Sequence, residues 1–409
     1  MRILFLLTQD LQSPSGLGRY WPLARELYHL GQQVSIAALH PDYAHLQAQQ
    51  EIIDGVLINY VAQMHVMKSD SEKKYYKSGQ LLQVASQATL QLITASLKPQ
   101  ADLIIVGKPH PMNSIAALFG KFLRGQHIYL DCDDFEAASG RFSSGLQRNV
   151  VASFEKWMPR RVRAISTNTY FMRDKLNSWG IPIERIYYLP NGVDRDRFTQ
   201  VNLDLLAQLK SQLGLYDQPV IAYIGSLSLP SHPVNLLLEA FAVLVQSHPG
   251  AVLLLVGGGE DLTSLMNLAQ RLGIEQAVRF IGQVTPEQVP VYYRLANVAV
   301  DPVYDNDAAR GRCPLKLFES WVCGVPFITA DVGDRRVLLE GSSSETPAGI
   351  IVTPGDHHSL ANGISKLLSQ PELAKTIVAA GQLRIKDYYW DILTTELLNF
   401  YFAHEQHHS

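Results

Sequence analysis

The sequence predicts an α/β protein built from two Rossmann-like domains, each a doubly wound parallel sheet. Three observations carry this. At 409 residues the chain exceeds what one ordinary core organises. Apolar runs alternate with amphipathic stretches in two series, on either side of a polar connector over residues 191–219. The runs themselves are continuous rather than alternating, which marks strands buried on both faces.

Taken in order, residues 2–8 read as the first strand. Pro14-Ser15-Gly16-Leu17-Gly18-Arg19 reads as a glycine-containing loop, 20–30 as a helix ended by Gly31, and 33–39 as the next strand. This βαβ unit leaves its loop at the strand's carboxyl end, where open α/β sheets bind ligands. Residues 56–61 follow as a strand, 78–97 as a long helix stopped before Pro99, and 102–106 as a strand ending in Gly107-Lys108-Pro109-His110-Pro111. A helix over 114–123 leads to a strand over 127–130 ending in Asp131-Cys132-Asp133-Asp134. Short strands at 163–166 and 185–189 close the half. The second series has strands at 220–224, 251–256, 278–281, 298–300, 326–329 and 349–352, with helices at 234–246, 286–296, 314–323 and 356–368. Residues 386–404 read as a terminal amphipathic helix with Trp390, Leu393, Leu397, Leu398 and Tyr401 on its apolar side. The expected division is 1–190, 191–385 and a tail helix over 386–409. Two such domains predict a cleft between them, faced by the strand ends and glycine loops of both.

Composition narrows the function. A hydrophobic share of 47% with 18% charge describes a globular protein, and no apolar run approaches a membrane span. Three cysteines without CxxC spacing fit free thiols in a reducing compartment, and the apolar run 3–7 is too short for a signal peptide, so a cytoplasmic protein is expected. The net charge of −3 conceals an asymmetry: residues 1–185 carry +5 and the rest −8. Arg141, Arg148, Lys156, Arg160, Arg161 and Arg163 supply much of the excess. A basic half points to an anionic partner, such as a phospholipid surface met peripherally or a pyrophosphate-linked acceptor; ordinary solvated charge explains it as well. The mildly acidic whole argues against nucleic acid.

The stretch Cys313 to Thr329 reads as a helix opened by Pro314 and closed by Gly324, then a buried strand. Lys316 and Glu319 lie three apart on one helix face. A cation and a carboxylate near a helix start could hold a nucleotide sugar, the lysine and amides on phosphate and the glutamate on ribose hydroxyls. The alternative is a surface i,i+3 ion pair.

With these elements in place the chain resembles the retaining family-4 glycosyltransferases of the GT-B fold. Tyr188-Leu189-Pro190-Asn191-Gly192-Val193-Asp194 followed by Phe198 is similar to their PNGVD…F segment. Ala222 to Leu227, Leu254 to Gly259 and Val278 to Val284 are similar to the successive strands and glycine turns of the donor domain. Cys313 to Pro326 is similar to the SPLKLFE block of one branch. Tyr389-Trp390-Asp391 is similar to the start of the terminal helix, which in the family crosses back onto the first domain. The ordered set covers nearly the whole chain.

The resemblance implies a glycosyltransferase that moves a sugar from a nucleoside diphosphate donor to an acceptor hydroxyl with retention. Glycan, glycolipid or cell-surface polysaccharide synthesis is implied, with no metal and no cofactor beyond the donor substrate. The acceptor would be a glycan, a lipid-linked glycan or a small molecule. Glu319 becomes the ribose-binding glutamate. Backbone at Gln283 and Val284 would hold the base, and Gly225 and Ser226 would lie by the diphosphate. Lys316, Arg312, His232 and Leu317 complete the expected donor site. Gly16, Gly18 and Arg19 match the acceptor or phosphate loop.

Three departures stand out. The first carboxylate of the family's E-x7-E pattern falls on Gly311. The usual Arg and Lys of the first donor-domain loop fall on Ser226 and His232, although a departing diphosphate needs positive charge; Arg310, Arg312 and Lys316 could supply it. Where many members have a histidine, this chain has Asp131, Asp133 and Asp134, which with His110 are the catalytic candidates, placed to orient acceptor or donor hydroxyls. The acidic cluster could equally cap the next helix, and Asp131-Cys132-Asp133 also looks like the DxD metal motif of another glycosyltransferase fold. His110 could simply make a rigid turn between prolines. A non-catalytic member that binds a nucleotide sugar or glycan is the competing class. A Rossmann dehydrogenase lacks support, because residues 33–39 carry no acidic residue.

Overall fold

The structure, a computed structural model, describes residues 1–69, 72–76, 78–98, 101–139, 142, 144–341 and 345–406. Pro99, Arg141 and His407 to Ser409, used in the sequence reading, lie outside them. The chain divides into two units, Met1–Gly192 with Trp390–Ser409, and Val193–Tyr389.

The first unit contains β1 (Arg2–Leu7), β2 (Gln33–His40), β3 (Gln50–Ile53), β4 (Val56–Gln63), β5 (Val66–Ser69), β6 (Glu72–Tyr75), β7 (Leu103–Gly107), β8 (His127–Cys132), β9 (Ala164–Thr167) and β10 (Ile186–Tyr188). Its helices are α1 (Trp21–His29), α2 (Ser78–Leu97), α3 (Pro111–Arg124), α4 (Gly145–Trp157) and α5 (Tyr170–Ser178). Eight strands form one sheet in the order β10-β9-β8-β7-β1-β2-β4-β3. All its pairings are parallel except that of the edge strand β3 with β4, and β5 and β6 form a separate hairpin. β1 lies between β2 and β7, in register Ile3↔Val34 and Ile3↔Leu103. Every residue from Ile3 to Leu7 is at most 2% exposed, as continuous apolar runs in parallel sheets require. The strand order reverses between β1 and β7, which makes their carboxyl ends the switch point of this sheet.

The second unit contains β11 (Val220–Ile224), β12 (Val252–Val256), β13 (Val278–Gly282), β14 (Val298–Asp301), β15 (Phe327–Ala330) and β16 (Ile350–Val352). Its helices are α6 (Arg195–Thr199), α7 (Leu203–Gln212), α8 (Val234–Ser247), α9 (Leu262–Arg271), α10 (Val289–Leu295), α11 (Asp307–Arg310), α12 (Leu315–Cys323), α13 (Arg335–Glu340), α14 (His357–Ser369) and α15 (Pro371–Arg384). The sheet is wholly parallel, in the order β13-β12-β11-β14-β15-β16, with its switch point between β11 and β14. One face packs α8 and α14 over Ile221, Leu253 and Ile328; the other packs α10 and α12 over Ala222, Leu254 and Phe327.

The last helix, α16 (Trp390–Gln406), returns to the core of the first unit, where Trp390, Leu393, Leu397 and Tyr401 join Ile3, Phe5 and Tyr129. Tyr129 Oη donates to Glu405 at 2.8 Å, and Arg163 pairs with the same carboxylate at 2.7 Å.

Several boundaries differ from the sequence reading for identifiable reasons. The expected loop at 14–19 is partly wound: Gly16–Tyr20 form a π-helical turn that runs straight into α1. β8 continues two residues further than expected, because Asp131 finds a buried cationic partner and can stay in the sheet. The terminal helix starts at Trp390, not at 386. Residues 385–388 form a 3-10 turn in which Tyr388 packs on Phe318 and Trp321, and Tyr389 bridges to Val193.

Candidate donor and acceptor edges

In the second unit the carboxyl ends of β11 and β12 interlock through glycine. Gly225 N–H donates to Val256 O at 2.9 Å, and Leu227 N–H to Gly258 O at 3.0 Å. A Cβ on Gly257 would stand 1.9 Å from Gly225 O, and its φ of +139° suits glycine alone. Over this turn lies Lys316, whose Nζ would be 3.2 Å from a Cβ on Gly225.

Lys316 comes from the first turn of α12. Pro314 precedes that helix and Gly324 ends it in the left-handed conformation, φ +70°, as expected. Burial of Leu317, Phe318 and Trp321 fixes the helix against the sheet, each such side chain contributing about 1.5–3 kcal/mol. The surface ion-pair alternative is overturned: Lys316 and Glu319 take different partners. Lys316 Nζ reaches Asp301 Oδ1 at 3.4 Å at the end of β14 and lies 5.1 Å above the Tyr223 ring. Glu319 accepts from Tyr293 Oη at 2.9 Å and lies 3.6 Å from the Arg197 guanidinium. Burial, reinforced by the Glu319 charge, holds the Tyr293 phenol well above its ordinary value, so it stays a donor.

Asp301 is the hub. It is 3% exposed and pairs with Arg335 (3.1 Å) as well as Lys316. Burial works to raise its pKa, but Lys316 and Arg335 outweigh it and hold the carboxylate ionised. Arg312 donates to Ser231 O at 2.7 Å, in the loop that carries His232, whose ring meets Tyr223 edge-on at 6.4 Å. One carboxylate therefore sits beneath several cations. Ser226 is half-buried beside them, while Gln283 is exposed beside Gly258 and Val284 is half-buried.

Two expectations fail here. The Leu317 side chain is fully buried in the core and its amide donates to Pro314 O at 3.3 Å, so it offers a ligand nothing. Arg310 is exposed and paired with Asp305 at 2.7 Å, outside this group. Gly311 ends α11 and brings no carboxylate.

In the first unit, the candidates divide into a structural pair and an acidic cluster. Arg19 and Asp131 are joined by two bonds, at 2.8 and 2.7 Å, with both side chains 1% exposed. Arg19 also donates to Leu189 O, Pro190 O and Asn191 Oδ1, and Ser166 donates to Asp131. Their polar atoms are consumed in tying the Leu189-Pro190-Asn191 segment to the sheet. Asp131 is thus corrected from a catalytic candidate, and Arg19 from a phosphate ligand, to internal supports. Gly16 packs so tightly that a Cβ would meet Asp10 O at 2.2 Å, and Gly18 lies in the same π-helical turn. For Gly16 the glycine allows this internal contact.

The acidic cluster surrounds Lys108, the residue after β7. Its φ is +66°, a conformation rare outside glycine, and Asn113 Nδ2 clamps it by donating to Leu6 O, Gly107 O and Lys108 O. Lys108 Nζ meets Asp133 at 3.3 Å, Asp134 at 3.1 Å and Glu136 at 2.6 Å. Burial alone would lower its pKa; Asp134, Glu136 and Asp133 together raise it well above the ordinary value. Burial pushes Asp133 up to about 6 despite Lys108. Glu136 also faces His110, 3.7 Å from Nε2, and His110 Nδ1 meets Thr8 Oγ1 at 2.6 Å. Behind the cluster, Glu155 accepts from the amides of Glu136 and Ala137, and burial, with the Glu136 charge, pushes it up to about 8. The structure therefore brings Asp133, Asp134 and His110 together and adds Lys108 and Glu136. Among the described residues no group of His, Cys, Asp or Glu is placed to hold a metal ion.

Sequence reasoning missed Asp301, Tyr293 and Arg197 in one unit and Lys108 and Glu136 in the other. Asp301 and Lys108 had a usable signal: each is a charged residue directly at the end of a buried strand. Tyr293 and Arg197 had none, since only the packing of α6 and α10 brings them to Glu319.

Comparison with known proteins follows this division. Residues 16–197 match the model described as Glycosyltransferase Family 4, and residues 207–384 match that of Glycosyl transferases group 1. The GDP-mannose-dependent alpha-(1-6)-phosphatidylinositol monomannoside mannosyltransferase of Mycolicibacterium smegmatis is 28% identical over 52% of this chain and 54% of its own. The D-inositol 3-phosphate glycosyltransferase of Corynebacterium jeikeium is 28% identical over 49% and 48%. The match thus spans about half the length of these relatives. Among solved structures, the sucrose-phosphate synthase of Thermosynechococcus elongatus superposes with a TM-score of 0.75 at 20% identity, covering 98% of this chain and 99% of that one. Anabaena HepE in complex with UDP-glucose does so with 0.72 at 18% identity, covering 98% and 100%. At these identities the likeness shows the GT-B fold. The first unit thus carries a Glycosyltransferase Family 4 match and the second a Glycosyl transferases group 1 match, which together span most of the chain.

Proposed function

We propose that this protein transfers a sugar from a nucleoside diphosphate donor to an acceptor hydroxyl with retention at the anomeric carbon, without a metal ion. The observation that carries the reading is Lys316 lying over the Gly225 turn at the switch point of the second sheet, one helical turn from Glu319. The diphosphate is assigned to the Gly225–Ser226 turn, with Lys316, Arg312 and His232 as its donors; the ribose hydroxyls to Glu319, steadied by Tyr293; and the base to the backbone of Gln283 and Val284. The family resemblance through the PLKLFE block supports these assignments, as does the name of a relative that uses GDP-mannose and a structural neighbour that holds UDP-glucose.

As the anomeric C–O bond to the β-phosphate breaks, charge grows on the leaving oxygen. Lys316 and Arg312 supply the positive charge that stabilises it. The acceptor oxygen forms the new bond on the same face, and its proton passes to the departing phosphate oxygen.

The acceptor is assigned to the first unit and to a glycan, glycolipid or polysaccharide precursor at the cytoplasmic face of a membrane. One surface supports peripheral contact. Phe122 and Leu123, 74% and 63% exposed, end α3, and Trp157 ends α4. Lys121 Nζ, donating to Arg161 O at 2.8 Å, brings the helix ends together among the exposed Arg124, Lys156 and Arg160. α3 has no acidic residue and the one acid of α4, Glu155, is buried. Arg163 does not belong to this face, since it pairs with Glu405. Co-sedimentation should show binding to vesicles containing anionic lipid, and loss of it in a Phe122→Ser, Arg124→Ser double variant.

Isothermal titration with UDP, GDP and ADP, followed by turnover of the matching sugar donors, tests the central reading. Glu319→Gln should weaken nucleotide binding about tenfold and erase the preference for ribose over deoxyribose, the effect of losing one charge-assisted hydrogen-bond pair. An inverted anomer in the product rejects retention. Tight nucleotide binding without turnover across the panel favours the non-catalytic reading that Gly311 leaves open.

A further inference from the structure

The charge at the switch point of the first sheet restricts what can bind there. Three carboxylates, Asp133, Asp134 and Glu136, share the single ammonium of Lys108, leaving a net negative group. The Arg19 charge does not relieve it, being matched to Asp131 by two bonds. Asn168, directly after β9 and fully buried, donates Nδ2 to Asp133 Oδ1 at 3.1 Å. Its own Oδ1 is buried without a hydrogen-bond partner in the protein. An orphaned buried acceptor is uncommon and leaves one hydrogen-bond position at this edge for a donor. Asp134, a quarter exposed, gives Lys108 only its Oδ2. The hydrogen-bonding capacity left over at this edge therefore accepts.

Such an edge suits a ligand rich in O–H or N–H donors. A phosphate monoester, whose oxygens mostly accept and carry charge, meets both unpaired acceptors and like charge. We infer that Asp134 and Glu136 are specificity-determining residues that select an unphosphorylated polyol, neutral or amino-bearing, as the acceptor moiety at this edge, and reject its phosphate esters. The inference rests on the proposed transfer reaction for the word acceptor, but the selectivity belongs to the first unit alone.

Saturation-transfer NMR on the full chain, without donor, tests it using myo-inositol, glucose and glucosamine against myo-inositol 1-phosphate and glucose 6-phosphate. The unphosphorylated probes should bind at least tenfold more tightly than their esters. Asp134→Asn should shrink that ratio at least threefold, and Glu136→Gln likewise, while thermal melts confirm that both variants fold. Raising the salt should shrink the wild-type ratio as well, because it screens like-charge repulsion. Equal or tighter binding of the esters, an unchanged ratio in the folded variants, or no binding of any probe overturns the inference. Nucleotide titration of the same samples reads the second unit separately. Loss of nucleotide binding would count against the transfer reaction and leave the selectivity result standing.

Discussion

The two sheets share a topology and put their charged residues at the same place, yet with opposite sign. At the end of β14, one carboxylate, Asp301, holds Lys316 and Arg335. At the end of β7, one ammonium, Lys108, holds Asp133, Asp134 and Glu136. A Rossmann-like frame thus fixes where a ligand site forms and leaves its electrostatics to a few residues in the strand-end loops. An edge with spare cations suits a diphosphate, and an edge with spare carboxylates suits hydroxyls.

The hubs offer the sharpest way to break this comparison. Lys108→Met leaves three carboxylates crowded without a counter-charge, and Asp301→Leu strands two buried cations. Each should cost about 3–5 kcal/mol, the penalty for removing one partner of a buried ion pair, read from urea midpoints. Equal losses would confirm that both are true hubs; a near-neutral result at either would mark that site as solvated. Next comes Lys316→Ala, which keeps the Arg335–Asp301 pair and removes the ammonium over Gly225. It should weaken nucleoside diphosphate binding by about 30–100-fold, the scale of a charged contact worth about 2–3 kcal/mol, with little change in melting temperature.

A pH-dependent effect concerns Glu155, which braces the acidic edge from behind. Its folded pKa of about 8 lies above the ordinary carboxylate value. The native state therefore binds this proton more tightly than the unfolded chain. The stabilisation is complete below the ordinary value and disappears as pH rises through about 8. Glu155→Gln should flatten the fall in stability between pH 5 and 8, with Asp133, raised to about 6, supplying the slope that remains at the acid end of that window.

How much of this could be seen in the residues alone differs between the two edges. α12 was legible, because Pro314 and Gly324 punctuate it and Lys316 and Glu319 lie on one face. Their divergence was not legible: Asp301 and Tyr293 come from distant segments, and an i,i+3 spacing does not say whether two side chains turn toward each other. On the other edge Asp133, Asp134 and His110 were visible as a strand-end pattern. Asp131 looked equivalent to its neighbours, although one residue of register separates a side chain in the sheet, matched to Arg19, from those beyond it. Lys108 was visible as a charge at a strand end, but nothing local announces its left-handed backbone or the three carboxylates that gather on it.

The return of α16 to the first unit carries a consequence for synthesis. β1 emerges from the ribosome before the other strands of its sheet, but the hydrophobic surface around Phe5 and Tyr129 is covered in part by Trp390, Leu397 and Tyr401. Residues 193–389 form a continuous segment whose ends are stitched together by Val193 N–H donating to Tyr388 O at 3.0 Å. The interior segment can therefore mature while the flanking lobe still waits, uncapped, for residues nearly four hundred positions downstream of its own first strand. The lobe begun before the interior segment is completed only after it.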